Sequence, residues 1–103
     1  QVCVIAVDGD LDADNAAALR READEHVDRR QLVDFVVDLE KCPFIDSEGL
    51  ETLLWLKRRS EDLFGQLKLA ALDDNVRKIL QITRLEHRFA CQDDLASALK
   101  LMR

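Results

Sequence analysis

Residues 32–50 read LVDFVVDLEKCPFIDSEGL, and this stretch decides the fold. Residues 32–39 form a nearly continuous apolar run, which predicts a strand that is buried on both faces. Pro43 marks a loop after this strand. A helix is then predicted to begin at Asp46 or Ser47 and to run to about Phe64, with Gly65 as its C-cap. The stretch therefore has the order strand, loop, helix.

The same order is predicted three more times along the chain. Short apolar runs at residues 2–7, 67–72 and 88–91 predict strands. Apolar residues at three- and four-residue spacing predict helices at about residues 14–27, 73–83 and 93–102, the first of them capped by Asp12 or Asp14. This alternation requires crossover connections and predicts an α/β fold with a mostly parallel sheet. No linker or repeat interrupts it, so we expect one domain over residues 1–103.

Composition restricts the classes of partner. The chain is 48% hydrophobic and 35% charged, which is typical of a globular domain and excludes a disordered chain. Fifteen Lys and Arg against twenty-one Asp and Glu leave a net charge of −6. Such a chain lacks the excess positive charge that binds nucleic acid, and an anionic membrane repels it. No apolar stretch is long enough for a membrane span. We therefore expect a soluble acidic domain whose partner is a protein or a small molecule.

The cysteines indicate a reducing compartment. Cys3, Cys42 and Cys91 are odd in number and have no CxxC spacing, which argues against a disulfide framework and against a zinc site. We interpret them as reduced residues of a cytoplasmic protein. Nothing resembles a signal peptide. The chain begins at Gln1 within a strand-like run, so we expect it to be trimmed or to belong to a longer parent protein.

No enzyme or metal site is predicted. Four alternating aspartates after the first strand resemble a calcium loop, but Ala13 and Leu19 stand where that loop needs Gly and Glu. His26 and His87 are predicted to be solvated surface residues, and no spacing pairs them with a nucleophile. The chain also lacks a glycine-rich phosphate loop. We therefore predict no catalytic residues, no metal and no cofactor.

The second helix carries one basic cluster and the chain's single tryptophan. The basic residues Lys57, Arg58 and Arg59 are balanced by nearby acids and are interpreted as a solvated face. Trp55 has two interpretations, since it can fill core volume or anchor an interface. Because the neighbouring leucines already supply an inward face, we predict that Trp55 is partly exposed.

Asp46 and Ser47 stand where this helix begins, and two interpretations apply. Both residue types cap helices by satisfying the free amides of the first turn. Ser47 is also a candidate phosphoacceptor, because a phosphate adds about −1.5 to −2 charges at a helix N-terminus, where the dipole accepts them. Such a modification would act on binding and need not refold the domain. A parallel sheet would bring the first two strand-to-helix junctions to one edge, where we expect an acidic patch formed by Asp8, Asp10, Asp12, Asp46, Glu48 and Glu51.

Residues 44–50, FIDSEGL, following the strand residues 36–39, VVDL, resemble the signature of STAS domains, the family of anti-sigma factor antagonists. The family pattern is a hydrophobic strand, a loop and then F-hydrophobic-D-S-S-G-L. Residues 9–12, GDLD, are similar to the G-x-L-D entry to the family's first helix, and residues 67–85 match its later strand and helix. The resemblance covers essentially the whole chain. It implies a STAS-like fold, with a mixed four- to five-stranded sheet and helices packed mainly on one face.

The resemblance also implies a function. An unphosphorylated STAS antagonist binds an anti-sigma factor serine kinase and so frees a sigma factor; the kinase phosphorylates the motif serine, and a phosphatase resets it. Here that serine is Ser47, and the implied partner-binding residues are Asp10, Asp12, Asp46, Glu48 and Gly49. The protein would then regulate transcription without touching DNA and without being an enzyme.

The chain departs from the family in two places, and other roles stay open. Glu48 replaces the second serine of the motif, so a fixed charge lies beside the acceptor. The family's further N-terminal strand is missing or lies upstream of Gln1. STAS-like domains also serve as cytoplasmic subunits of lipid or anion transporters, or as modules of larger sensory proteins.

Overall fold

Four parallel strands form the sheet of the computed structural model, which describes residues 1–102. They are β1 (Cys3–Asp8), β2 (Phe35–Lys41), β3 (Leu67–Ala70) and β4 (Ala90–Gln92), hydrogen-bonded in the order β1-β2-β3-β4. The predicted α/β class and STAS-like fold are confirmed. Every strand pairing among the described residues is parallel, so the mixed character that the resemblance implied is not found within this part of the chain.

Within the described residues, one helix follows each strand, which gives four helices. They are α1 (Ala13–Arg30), α2 (Ser47–Asp62), α3 (Asp74–Ile82) and α4 (Leu95–Leu101), with a 3-10 turn at Glu86–Arg88 before β4. An aspartate caps each helix by accepting a hydrogen bond from a backbone amide of the first turn; the four are Asp12, Asp46, Asp73 and Asp94. Because all four strands run parallel and each helix follows a strand, all four caps lie at the edge of the sheet where the strands' carboxyl ends meet.

The helices α1, α2 and α3 cover one face of the sheet, and α4 covers the other. On the first face, alternate β2 residues such as Phe35 and Val37 are fully buried in a cluster with Leu53 and Leu80 of the helices. On the second face, Val36 packs with a smaller group made of Ala70, Ala98 and Met102. Because β2 is buried on both sides, its sequence is a continuous apolar run. The expectation of helices mainly on one face is confirmed.

The predicted C-cap of α2, Gly65, is wrong, because the helix ends at Asp62 and its C-cap is Leu63. Phe64 takes the left-handed conformation, with φ of 66°, and its N–H donates to the Glu61 carbonyl at 3.0 Å. The Gly65 N–H then donates to the Ser60 carbonyl at 2.7 Å, which completes a Schellman ending. Gly65 is needed for another reason, because a Cβ there would collide with the backbone carbonyl of Val33.

Two side chains differ from their predicted exposure. His26 was expected to be solvated, but its side chain is 25% exposed and its Nε2 lies 4.0 Å from Glu22 Oε1. The chain folds back on the end of α1 at this residue, where the Leu32 N–H donates to the His26 carbonyl at 3.2 Å. The apolar spacing of α2 predicts that Leu63 faces inward, but this side chain is 38% exposed because it lies beyond the last helical turn. His87 is exposed, as predicted.

The three thiols are free, with Cys3 and Cys42 buried and Cys91 half-buried. Burial raises the pKa of Cys3 to about 11, and burial also raises the pKa of Cys42 and Cys91. Within residues 1–102, no helix is long and apolar enough to cross a membrane.

Candidate partner-binding site

Two loops run side by side beyond the carboxyl ends of β1 and β2. The Gly9 N–H donates to the Lys41 carbonyl and the Leu11 N–H to the Phe44 carbonyl, both at 2.9 Å. The Asp46 N–H returns a bond of 3.3 Å to the Leu11 carbonyl. Leu11 and Ile45 form a parallel bridge here, which continues the β1–β2 ladder as far as the two helices. We call residues 9–12 and 42–46 the paired loops.

Buried side chains hold the paired loops in place. Leu11 is 0% exposed and Ile45 is 1% exposed, and both belong to the core between the sheet and the helices. Gly49 is buried directly beneath them. A Cβ on Gly49 would collide with the Leu11 carbonyl and would lie 2.8 Å from Ile45 Cγ2. Only glycine therefore allows the first turn of α2 to approach this close to the loop before α1.

Ser47 occupies the first helical position of α2 and is exposed. Asp46 precedes it as the N-cap, with Oδ1 accepting the Gly49 N–H at 2.9 Å. The sequence contains three serines, and the other two are less accessible, since Ser60 is 0% exposed and Ser97 is half-buried. Of the three hydroxyls, that of Ser47 is the one most accessible to a modifying enzyme.

A matching turn begins α1. Asp12 caps this helix by accepting the Asn15 N–H at 3.1 Å, and the Asn15 side-chain amide donates to the Asp10 carbonyl. Asn15 thus fixes the conformation of the loop that carries both aspartates. The carboxylates of Asp10 and Asp12 are left exposed beside the start of α2.

The structure brings most of the predicted residues together. Asp10, Asp12, Asp46, Ser47 and Glu48 lie on the paired loops or on the first turn after them, and all but the half-buried Asp46 are exposed. Gly49 is buried, so its part in a binding site is to set the position of the other residues. Their role in binding stays a prediction.

The acidic edge extends further than the first two junctions. Asp73 and Asp74 begin α3, and Asp93 and Asp94 precede α4 at the same edge of the sheet. The sequence contained this signal, because aspartates lie at the predicted start of each helix. Only the strand order shows that these four carboxylates line up beside the paired loops. Hydrogen bonds from the backbone and side chain of Ser97 lower the pKa of Asp94.

A thiol lies beneath the paired loops and stays protonated at neutral pH. Cys42 is fully buried, and its Sγ donates to the Phe44 carbonyl at 3.3 Å. Burial raises the pKa of this thiol, an effect larger than the lowering by hydrogen bonds with the Leu11 and Phe44 backbone. Since the thiolate is the reactive form, Cys42 acts here as a small packing residue.

A groove lies between α1 and α2, and one of its ends is lined by Glu48, the residue after Ser47. Its floor is made of small side chains, Ala13, Ala16 and Ala17 of α1 and Thr52 of α2, and its walls include Arg20 and Glu51. It continues past Leu54 and Trp55 toward Arg58. Trp55 is half-buried, which confirms its predicted partial exposure. Sequence analysis missed the involvement of Arg20 and Thr52, because a groove between two helices depends on how they pack.

Comparison with known proteins identifies the family. The STAS domain model matches residues 1–98, and the chain belongs to the STAS domain family. An anti-sigma F factor antagonist from Paenibacillus polymyxa is 26% identical over 98 residues, which cover 95% of this chain and 84% of that protein.

Solved structures agree on the fold. The anti-sigma factor antagonist SpoIIAA in its unphosphorylated form superposes with a TM-score of 0.83 at 22% identity, covering 96% of this chain and 85% of that chain. The phosphorylated form of the Bacillus SpoIIAA gives a TM-score of 0.77 at 22% identity over 99% of this chain and 91% of that one. A sulfate transporter family protein from Wolinella succinogenes gives 0.86 at 19% identity, over 98% of this chain and 84% of that one.

Proposed function

We propose that this protein is an anti-sigma factor antagonist that binds an anti-sigma factor serine kinase through the paired loops and is switched by phosphorylation of Ser47. The observation that carries the proposal is the exposure of Ser47 at the first position of α2, next to the capping Asp46. The similarity to an anti-sigma F factor antagonist supports it. In this role the protein is a non-enzymatic cytoplasmic regulator of transcription that needs no cofactor and does not contact DNA, and residues 1–103 form the binding domain.

The fold tolerates the modification. A phosphate on Ser47 lies at the N-terminus of a 16-residue helix, where free amides and the helix dipole favour an anion. The side chain is exposed, so the phosphate displaces nothing from the core. We therefore expect phosphorylation to leave the folded state intact and to change only the docking surface.

Phosphorylation weakens the complex through desolvation and repulsion. The added charge joins the carboxylates of Asp46 and Glu48 and lies one helical turn from Glu51. When the kinase covers this surface, a dianion must lose water in an interface shaped for a neutral hydroxyl. This cost opposes the general attraction between the acidic edge and a basic partner. Whether a negative charge at residue 47 lowers or raises the affinity for the kinase therefore tests the mechanism.

Phosphorylation is tested by incubating the protein with its cognate anti-sigma factor serine kinase and ATP. We expect label on the wild-type chain and none on Ser47→Ala, while the matched control Ser97→Ala is labelled as the wild type is. Label that persists in Ser47→Ala would contradict the assignment of the acceptor.

Binding of the unmodified chain is tested with the same kinase by calorimetry. Ser47→Asp should bind at least about tenfold more weakly than Ser47→Ala, which is the size of effect expected for one buried, unpaired charge. Tighter binding by Ser47→Asp would show that attraction to a basic surface dominates and would overturn the proposed switch. Glu48→Gln serves as a control for the fixed charge next to the acceptor.

A second candidate function is that of a cytoplasmic subunit or domain of a membrane transporter. The superposition on the sulfate transporter family protein favours it. A module of a larger sensory protein is a related alternative. Neighbouring genes separate these roles, because a kinase or sigma factor supports the antagonist, whereas a permease supports the transporter subunit.

A further inference from the structure

The groove between α1 and α2 begins at Glu48, in the first turn of α2 and next to Ser47. Residues 47, 51, 55 and 58 are spaced by about one helical turn each, so they lie along one stripe of α2. Ser47, Glu51 and Arg58 on this stripe are exposed, and Trp55 is half-buried. The same Glu51, Trp55 and Arg58 line the groove. The position that the proposed switch modifies is therefore the first residue of the stripe that forms a wall of this groove.

The indole of Trp55 is held in one orientation. The Arg20 guanidinium lies over the ring, with Cζ 5.2 Å from its centroid. Arg20 is itself fixed, since its Nε donates to Thr52 Oγ1 at 3.0 Å. A cation stacked on an aromatic ring stabilises this arrangement, so the ring loses little further freedom when a partner covers it. Rigid, partly exposed tryptophans of this kind are typical anchors of protein interfaces.

Charge changes sign along the groove. Glu48 lines the end next to Ser47, and Arg58 lines the end next to Trp55. Glu51 and Arg20 line both parts of the groove, so the two ends differ by one acidic and one basic residue. A ligand that fits must therefore present basic groups toward Ser47, apolar side chains over Trp55 and Leu54, and acidic groups toward Arg58. An amphipathic helix of a protein partner meets these three requirements.

We propose that this groove is the docking site for an amphipathic segment of the partner kinase, with Trp55 as its apolar anchor. The inference rests on the proposed function and deepens it, because it extends the contact surface from the paired loops along α2. Phosphorylation of Ser47 weakens binding in this arrangement because the cost of desolvating a dianion at this end of the groove exceeds its attraction to the segment's basic residues.

The test uses the single tryptophan of the chain as both target and reporter. The protein is prepared with 5-fluorotryptophan and titrated with the unlabelled kinase, so that the fluorine resonance reports Trp55 alone. We expect the resonance to shift on binding. We also expect Trp55→Ala to weaken the affinity at least about tenfold, the range of an interface hot spot.

Phe64→Ala is the matched control, because Phe64 is a fully exposed aromatic just past the end of α2 and does not line the groove. It should bind within about twofold of wild type. Arg58→Glu, at an exposed position, should weaken binding without affecting folding. If Trp55→Ala and Arg58→Glu bind with unchanged affinity and the fluorine resonance does not shift, the docking role of the groove is contradicted, whereas the antagonist function is not. Failure of the wild-type chain to bind the kinase would overturn both.

Discussion

Phe64 is an apolar residue in an exposed and strained position. It is 99% exposed, so its ring gains nothing from burial, and its backbone has φ of 66°. The left-handed conformation costs a non-glycine residue about 1–2 kcal/mol. The helices α1 and α3 end in the same way, with the left-handed residues Gln31 and Arg84. Phe64 combines this strain with an exposed aromatic ring.

We expect Phe64→Gly to stabilise the protein, although it removes a large apolar side chain. Relief of the left-handed strain should exceed the entropy that glycine adds to the unfolded chain, giving a net gain of about 0.5–1 kcal/mol. Urea denaturation of the purified variant measures this difference. Leu53→Ala, on the buried side of the same helix, should lose about 2–5 kcal/mol and shows that the assay detects core damage. A destabilised Phe64→Gly would mean that the ring makes contacts in solution.

At the scale of elements, the contact between α2 and the loop before α1 decides the geometry of the site. The two helices begin at neighbouring strands, and the close approach at Gly49 sets the distance between their first turns. The Leu11–Ile45 bridge gives the loops the regularity of a short sheet extension. Asp10, Asp12 and Ser47 therefore sit on a rigid platform although all three lie outside the strands.

Gly49→Ala should destabilise the protein by about 1–3 kcal/mol, because the added methyl has to displace the Leu11 backbone, which cannot move as a flexible side chain does. It should also weaken kinase binding by shifting both loops. Thermal denaturation measures the stability change. Glu48→Ala, one residue earlier and exposed, should stay within about 0.5 kcal/mol of wild type. Equal stabilities of these two variants would contradict the close approach at Gly49.

At the scale of the whole molecule, the parallel topology collects acidic residues at one edge of the sheet. Each strand delivers an aspartate-capped helix start to the same edge, so the four caps and their acidic neighbours accumulate there. The net charge of −6 is thus unevenly distributed over the surface. A long-range field of this kind speeds the approach of a basic partner and becomes weaker as salt is added.

Burial of Cys3 also makes the free energy of unfolding vary with pH in the alkaline range. Burial raises the pKa of Cys3 from 9.0 to about 11, so between these values the unfolded chain loses a proton that the folded chain keeps. This contribution to stability is fully present below pH 9.0 and is lost as the pH rises through about 11. When the pH is raised from 8 to 10.5, urea denaturation should show a smaller decrease in the free energy of unfolding for Cys3→Ala than for the wild type. Equal losses would mean that Cys3 is not shielded from water.

The helices and strands of this protein are largely determined by local sequence. Apolar periodicity and the aspartate caps predicted all eight elements in their order, because these signals act within one or two turns of chain. The errors in these elements fall at their ends, since β2 runs from Phe35 to Lys41 where residues 32–39 were predicted, and the end of α2 was also misplaced. Gly65 looked like a C-cap, but whether a residue is left-handed or closely packed depends on the neighbouring Val33 backbone, which lies 32 residues away in sequence.

The position of Ser47 at a helix start also followed from the sequence, as did the expectation of an acidic edge. The tertiary structure alone decided what surrounds Ser47. The bond from Arg20 to Thr52 and the stacking on Trp55 join two helices, and the bridge from Leu11 to Ile45 joins two loops. Such contacts form only when the parallel sheet places α1 beside α2, so their energies depend on packing between distant segments. The sequence by itself determined which residue types lie at the surface of the site, and packing decided that they form a groove.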